Sequence, residues 1–465
     1  MKRSLTEHVP SVLVASLSAA FGVSLLQITG ILATAISAND VTGHSSTVGI
    51  LLAIVAIVFI IIAIYVGAIV TANTFSTIIA GRTRTIALLR LIGSSASDQR
   101  RSVAREGLTV GVVGAALGAV IGTLVTIALV AISESSGVIP PLGYAYLQPV
   151  LVLPIVAVVL TTWLASWVGS RRVLQVSPIQ ATGVAIELTR EESSARRGRN
   201  IVAIVFFALG IAFLALGMLV GLISPLGVLI GVIGGLLSFT GLVLGAHLVM
   251  PVALRLTGRM FGSSATARLA AENAVRYPER SSRTTIGLVI GVTLVTMFAV
   301  ALQSYQQIIL QAQQSRPDVY QGIDQTLTVT VVVFSVLTGF SALIAAVGMV
   351  NNLSMSVLQR TRELGLLRAL GFTARQVRSM ILAESAQLTV AAVLVGLVLG
   401  IFYGWAGAQS LLGSIKGSPG LVLPAVPLAL LGILVVAAAV LTLVASVAPS
   451  RRATRIAPVA ALAVD

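Results

Sequence analysis

Ten apolar runs, each about 20 to 28 residues long, follow one another along this 465-residue chain, a pattern no soluble fold accommodates. They lie at about 11–37, 48–72, 106–132, 150–169, 201–221, 226–250, 286–307, 326–350, 384–411 and 424–447. A helix needs roughly 20 apolar residues to cross a bilayer core, so each run reads as a transmembrane span. Charged residues are 10% of the chain, against roughly 25% in a soluble domain. The expected fold class is an all-α polytopic membrane protein of about ten transmembrane helices. Lys2 and Arg3 precede the first run as they would in a signal sequence. No obvious small-residue cleavage site follows, so the run is read as a transmembrane helix.

The net charge of +15 raises the question of a nucleic-acid partner, and the distribution of the charge answers it. With the N-terminus in the cytoplasm, the loops on that side hold Lys2, Arg3, Arg171, Arg172 and the arginines within 82–105, 190–199, 255–283, 360–378 and 451–455. Only Arg316 and Lys416 fall on the other side. That is the positive-inside pattern; it predicts both termini in the cytoplasm and makes nucleic acid unnecessary. The absence of cysteine rules out disulfides and thiolate chemistry. His8, His44 and His247 are far apart and no HExxH spacing occurs, so no metal site is expected.

A duplication organises the spans. Residues 81–93 read GRTRTIALLRLIG and residues 359–371 read QRTRELGLLRALG, in step at an offset of 278. Asn73, Ser76, Ala96, Arg100 and Glu106 recur at the same offset as Asn351, Ser354, Ala374, Arg378 and Glu384. The span after the first copy carries Gly114, Gly118 and Gly122; its counterpart carries Gly396, Gly400 and Gly404. Small residues at four-residue spacing let another helix approach closely. Segments 165–181 and 445–461 share a Ser-Arg-Arg step and a later proline at an offset of 280.

The expected architecture is two parallel four-helix repeats, residues 1–182 and 263–465, separated by a basic linker and a central helix pair in 183–262. Parallel repeats imply a pseudo-two-fold axis along the membrane normal. Residues 263–285 read as a helix lying flat on the cytoplasmic surface, with Leu269, Ala270 and Val275 toward lipid and Arg268, Arg276, Arg280 and Arg283 at headgroups. The external loops are too short to form a domain with its own core. Tyr144 and Tyr146 are expected at the interface; the polar patch Gln303–Gln307 allows two readings, a surface facing substrate or, preferred, a solvated helix end.

No GxxxxGK[ST] and no GxSxG occurs, so the chain carries neither a P-loop nor a nucleophile elbow. Its carboxylates sit in loops or at span ends, which disfavours proton coupling. Glu106 and Glu384 allow two readings: a carboxylate in a helix's first turn, favoured by the macrodipole, or ion pairs with Arg82 or Arg84 and with Arg360 or Arg362. In TRELGLLRALG a helix aligns Leu364, Leu367 and Leu370, with Leu366 beside them and Arg360, Glu363 and Arg368 elsewhere. Gly371 offers a C-terminal stop.

The run RTRELGLLRALGFTARQVRSMILAES, between a long span and a glycine-rich one, resembles the FtsX-like (MacB/LolC-type) permease domain of ABC transporters. ENAVRYPERSSRTT similarly resembles the amphipathic elbow preceding such domains. The ten-span plan is similar to the bacitracin-resistance type of permease, without that type's large extracellular domain. The resemblance implies a mechanotransmission permease whose loops between the second and third helices of each repeat dock into a cytoplasmic ABC ATPase. It makes Arg82, Arg84, Leu88, Leu89, Arg90 and Gly93, and Arg360, Arg362, Glu363, Leu366, Leu367, Arg368 and Gly371, the coupling residues. ATP and magnesium would then sit on the partner, at two copies per chain, and the chain itself would bind no cofactor and catalyse nothing. Thr85 stands where the second copy has Glu363, so the copies are expected to engage the partner unequally, with Leu367→Asp costing more ATP hydrolysis than Leu89→Asp.

The leading expectation is the membrane subunit of an exporter moving a hydrophobic or amphipathic compound, such as a drug, peptide or lipid. The alternative is a non-transporting signal transmitter acting on a cell-wall hydrolase or a sensor kinase. Membrane lipids are expected partners in either case. The Arg-, Ala- and Leu-heavy composition suits a high-GC bacterium, hence a bacterial cell membrane.

Overall fold

The computed structural model describes residues 9–37, 92–137, 139–170, 197–258, 278–317 and 361–455, together with 88–89, 272 and stretches within 54–73 and 327–346. The described elements are helical. We number the longer helices α1 (Val9–Ser37), α2 (Ala96–Ser135), α3 (Val152–Gly169), α4 (Arg197–Gly221), α5 (Gly227–Leu244), α6 (Ala246–Gly258), α7 (Pro278–Ser315), α8 (Thr361–Ala369), α9 (Ala374–Leu412) and α10 (Leu428–Arg455). Seven of these, α1 to α5, α7 and α9, are long and apolar enough to cross a membrane. Shorter apolar helices occupy Ile57–Val70 and the Leu428–Val444 part of α10. The chain is therefore a multi-pass, all-α membrane protein.

Several helices overrun the expected spans. At 40, 38 and 39 residues, α2, α7 and α9 are each about 60 Å long, twice the roughly 30 Å of hydrocarbon. Hydropathy registers only their apolar stretches; the polar starts of α2 and α9 are fixed by caps. Ser95 caps α2 by accepting from the Asp98 amide, and Thr373 caps α9 in a reciprocal box with Gln376. Glu106 and Glu384 thus lie ten residues inside their helices, beyond the reach of a first-turn dipole effect. Their expected arginine partners lie outside the described residues, except that Arg362 belongs to α8.

The sixth span breaks at Gly245, after which α6 continues to Gly258. The Leu248 amide turns back to the Gly245 carbonyl at 2.8 Å, which releases the Leu244 carbonyl to the His247 ring at 3.1 Å. Residues 278–283 are the first turns of α7, not a flat elbow; residue 272 apart, the elbow's earlier part lies outside the described residues. The Gln303–Gln307 patch is not a helix end either: α7 runs on to Ser315, and Ser304 is buried and accepts from the Ala425 amide at 3.3 Å. Tyr144 is buried and donates to the Pro140 carbonyl at 2.8 Å.

Helices α1 and α7 are the most enclosed, with 83% of each apolar window buried. Phe21 of α1, Phe298 of α7, Phe59 and Phe334 form one aromatic cluster with centroids 5.6 to 6.4 Å apart; Phe59, Phe298 and Phe334 meet edge to face.

Each enclosed helix lies along a glycine-rich one. On α2, a Cβ at Gly114 would come 2.5 Å from the Ala15 methyl, one at Gly118 would collide with the Ser16 carbonyl, and one at Gly122 would come 2.7 Å from the Ala20 carbonyl. On α9, Gly396 abuts Val292, Gly400 abuts Thr296, and Gly404 meets the Met297 carbonyl. The two triplets are one helical turn out of step: at an offset of 278, Gly118 and Gly122 correspond to Gly396 and Gly400, whereas Gly114 faces Ala392 in the alignment.

The central pair is packed more tightly still. Gly210 and Gly217 of α4 meet Ser238 and Gly231 of α5 backbone to backbone, and Gly234 and Gly241 meet Leu214 and Phe207. Tyrosine hydroxyls hold α5 on two sides: Tyr65 donates to the Leu236 carbonyl at 3.0 Å, and Tyr403 of α9 pairs with the Ser238 hydroxyl at 2.9 Å.

Candidate functional site

The arginine-studded stretch folds in its second copy as the short helix α8, closed by a sharp turn and followed at once by α9. The turn is a Schellman motif. The Phe372 amide donates to the Leu367 carbonyl at 3.1 Å, the Gly371 amide donates to the Arg368 carbonyl at 3.1 Å, and Gly371 adopts φ +101°. The first copy repeats it: Ser94 donates to the Leu89 carbonyl at 3.0 Å and Gly93 adopts φ +100°. In both copies the residue two places beyond the glycine, Ser95 or Thr373, caps the long helix.

That tight reversal lays α8 against the first turns of α9. Leu364 is 2% exposed and packs with Val377, Met380 and Ile381, with half-buried Leu367, Phe372 and Ala383 around them. The seated stripe is therefore Leu364 and Leu367. Leu366 and Leu370, four residues apart, project outward at 52% and 71% exposed. The equivalent Leu88 and Ile92 are 48% and 82% exposed, with Leu89 half-buried. Each copy thus presents two aliphatic side chains on one helical turn.

Arg368 is half-buried and engaged with neighbours. Arg362 and Glu363 lie on α8, and Arg82, Arg84, Arg90 and Arg360 lie outside the described residues. Among the described residues, no three His, Asp or Glu side chains gather to hold a metal.

Gly371 has open space where a Cβ would go, so its replacement tests conformation alone. Gly371→Ala is expected to destabilise the turn by about 1 kcal/mol, read as a lower thermal midpoint of the detergent-solubilised chain.

Sequence reasoning named one member of each outward pair, Leu88 and Leu366, and missed the other, Ile92 and Leu370. A helical wheel groups Leu370 with Leu364 and Leu367, and only the αL turn decides which leucines meet α9.

Residues 57–178 and 335–458 both match the family described as FtsX-like permease C-terminal. The two matches start 278 positions apart and end 280 apart, as the duplication does. An uncharacterized ABC transporter permease, YknZ, of Bacillus subtilis is 33% identical over 105 residues, 23% of this chain and 25% of that protein. The macrolide export ATP-binding/permease protein MacB of Bdellovibrio bacteriovorus is 30% identical over 84 residues, 18% and 13% of the two chains. An uncharacterized ABC transporter permease, MJ1507, of Methanocaldococcus jannaschii is 38% identical over 65 residues, 14% and 16%. The matched stretches span a quarter or less of these relatives' own length.

Proposed function

The chain belongs to the FtsX-like permease family, and from that premise we propose that it is the membrane subunit of an ABC transporter driven by a separate cytoplasmic ATPase. The observation that carries this reading is the repeated cassette: an outward aliphatic pair, an αL glycine turn and a capped helix of about 60 Å. Leu88 with Ile92 and Leu366 with Leu370 are the contacts offered to the partner, and a two-fold pair of such contacts suits a two-fold ATPase dimer. The basic flanks at Arg82, Arg84, Arg90, Arg360, Arg362 and Arg368 complete each surface. ATP and magnesium belong to the partner, and both termini lie on its side of the membrane.

The substrate class is a hydrophobic or amphipathic compound exported from the bilayer. The outer connections support this assignment, because the five-residue α4–α5 turn and the loop before α10 present Ile223, Leu226, Leu421 and Leu423 to their surroundings. Purification in mild detergent from the native host, followed by mass spectrometry and an ATPase assay, tests the proposal. A P-loop ATPase at two copies per chain with vanadate-sensitive hydrolysis is expected; a chain that purifies alone and without hydrolysis refutes it.

A further inference from the structure

At the start of α2 the Arg100 guanidinium lies 3.9 Å from the centre of the Trp167 ring on α3. Trp167 in turn stacks with Trp163 at 6.4 Å and 28°. A guanidinium held over an indole face makes no hydrogen bond to it, so its N–H groups remain able to donate to an anion. Here they find no acceptor among the described residues, and Arg100 Nε is enclosed with no hydrogen-bond partner. Asp98, the nearest carboxylate in sequence, accepts from the Ser95 hydroxyl at 2.6 Å. Glu106 lies six residues on, about 120° around the helix. Arg101 and Arg105 are exposed on neighbouring turns.

The cluster sits where a span ends: the apolar stretch of α3 closes at Val168, one residue past Trp167. Below the indoles, Trp163, Leu160 and Val156 are 36%, 50% and 45% exposed. Their spacing puts them on the same helix face as Trp167. A cation without an anion among the described residues thus caps an open apolar stripe.

We propose that Arg100, Trp163 and Trp167 bind one anionic phospholipid, its phosphate on the Arg100 guanidinium and an acyl chain along Trp163, Leu160 and Val156. An arginine fork matches phosphate geometry, and the cations at Arg101 and Arg105 favour a headgroup without its own ammonium. The site belongs to the first repeat. Arg378 repeats Arg100 and likewise has an enclosed Nε without a partner, but Leu443 and Val447 stand where the indoles do, at an offset of 280. The bound lipid would tie the start of α2, just past Leu88 and Ile92, to the leaflet.

The chain's three tryptophans make the site readable. Two are in it, and Trp405 is held at the outer end of α9 by its bond to the Val422 carbonyl at 2.6 Å. The full-length protein is placed in nanodiscs with rising fractions of dibrominated phosphatidylglycerol or dibrominated phosphatidylcholine, and tryptophan quenching is recorded. Half-quenching is expected at a roughly tenfold lower fraction of the anionic lipid, the scale of a charge-assisted hydrogen bond. Arg100→Gln is expected to abolish that preference, and Arg378→Gln to leave it intact. Equal quenching by the two lipids in the unsubstituted chain overturns the proposal, as does a preference that survives Arg100→Gln or is lost equally in Arg378→Gln.

Discussion

Leu366→Asp combined with Leu370→Asp is expected to lower partner-dependent ATP hydrolysis by tenfold or more while leaving yield and helix content unchanged. Both side chains are more than half exposed and contribute little to the chain's own packing. Burying one leucine against a partner is worth about 1.5–3 kcal/mol, and about 1.4 kcal/mol is a factor of ten in an equilibrium. Replacing two with carboxylates therefore removes most of one contact.

Leu364→Asp is the contrasting variant. At 2% exposed among Val377, Met380 and Ile381, it puts a charge into a packed cluster and lowers yield. Leu367 lines the same cluster, so Leu367→Asp also reports on the seating of α8. The comparison between copies is better made with Leu88→Asp and Ile92→Asp. A smaller loss there is expected from the missing acidic residue at Thr85; equal losses would show that the copies act alike. The double variant at Leu366 and Leu370 is measured on the copurified complex, and unchanged hydrolysis removes those two residues from the partner surface.

The second large effect concerns folding. Gly210→Leu is expected to destabilise the chain by more than about 3 kcal/mol, the upper range for overpacking, because even a Cβ there runs into the Ser238 backbone. Gly235→Leu is the control: on the partner helix α5, it has nothing within 4 Å of a Cβ. Loss of monodisperse protein for the first variant and a near-normal thermal midpoint for the second are the expected pair of results. Two similar midpoints would mean that the α4–α5 contact is looser than the glycines indicate.

The sequence made the membrane class, the duplication and most described spans legible, because apolar length and repetition are properties of composition and order alone. It did not disclose the ends of α2, α7 and α9, where polar residues continue a helix beyond the apolar window; caps at Ser95 and Thr373 mark the starts of α2 and α9. The break at Gly245 was likewise hidden inside a uniformly apolar run. The contact between α4 and α5 carried a signal that passed unnoticed: glycines at 210, 217, 227, 234 and 241 recur at seven-residue spacings on both helices. The orientation of α8 had no local signal, since three leucines on a nine-residue helix fit either face and a turn outside it makes the choice.

The unbroken run of α9 has a mechanical consequence. It contains no proline, and Gly396, Gly400 and Gly404 pack against α7 without interrupting the helix. A stiff rod of about 58 Å that tilts by about 10° around its midpoint moves each end by about 5 Å in opposite senses. A displacement applied at Thr373 would thus return, inverted and at nearly full amplitude, beside Gln409 and the loop it holds through Gly420 and Val422. A seesaw of that kind needs no second moving part to carry work from one face of the membrane to the other.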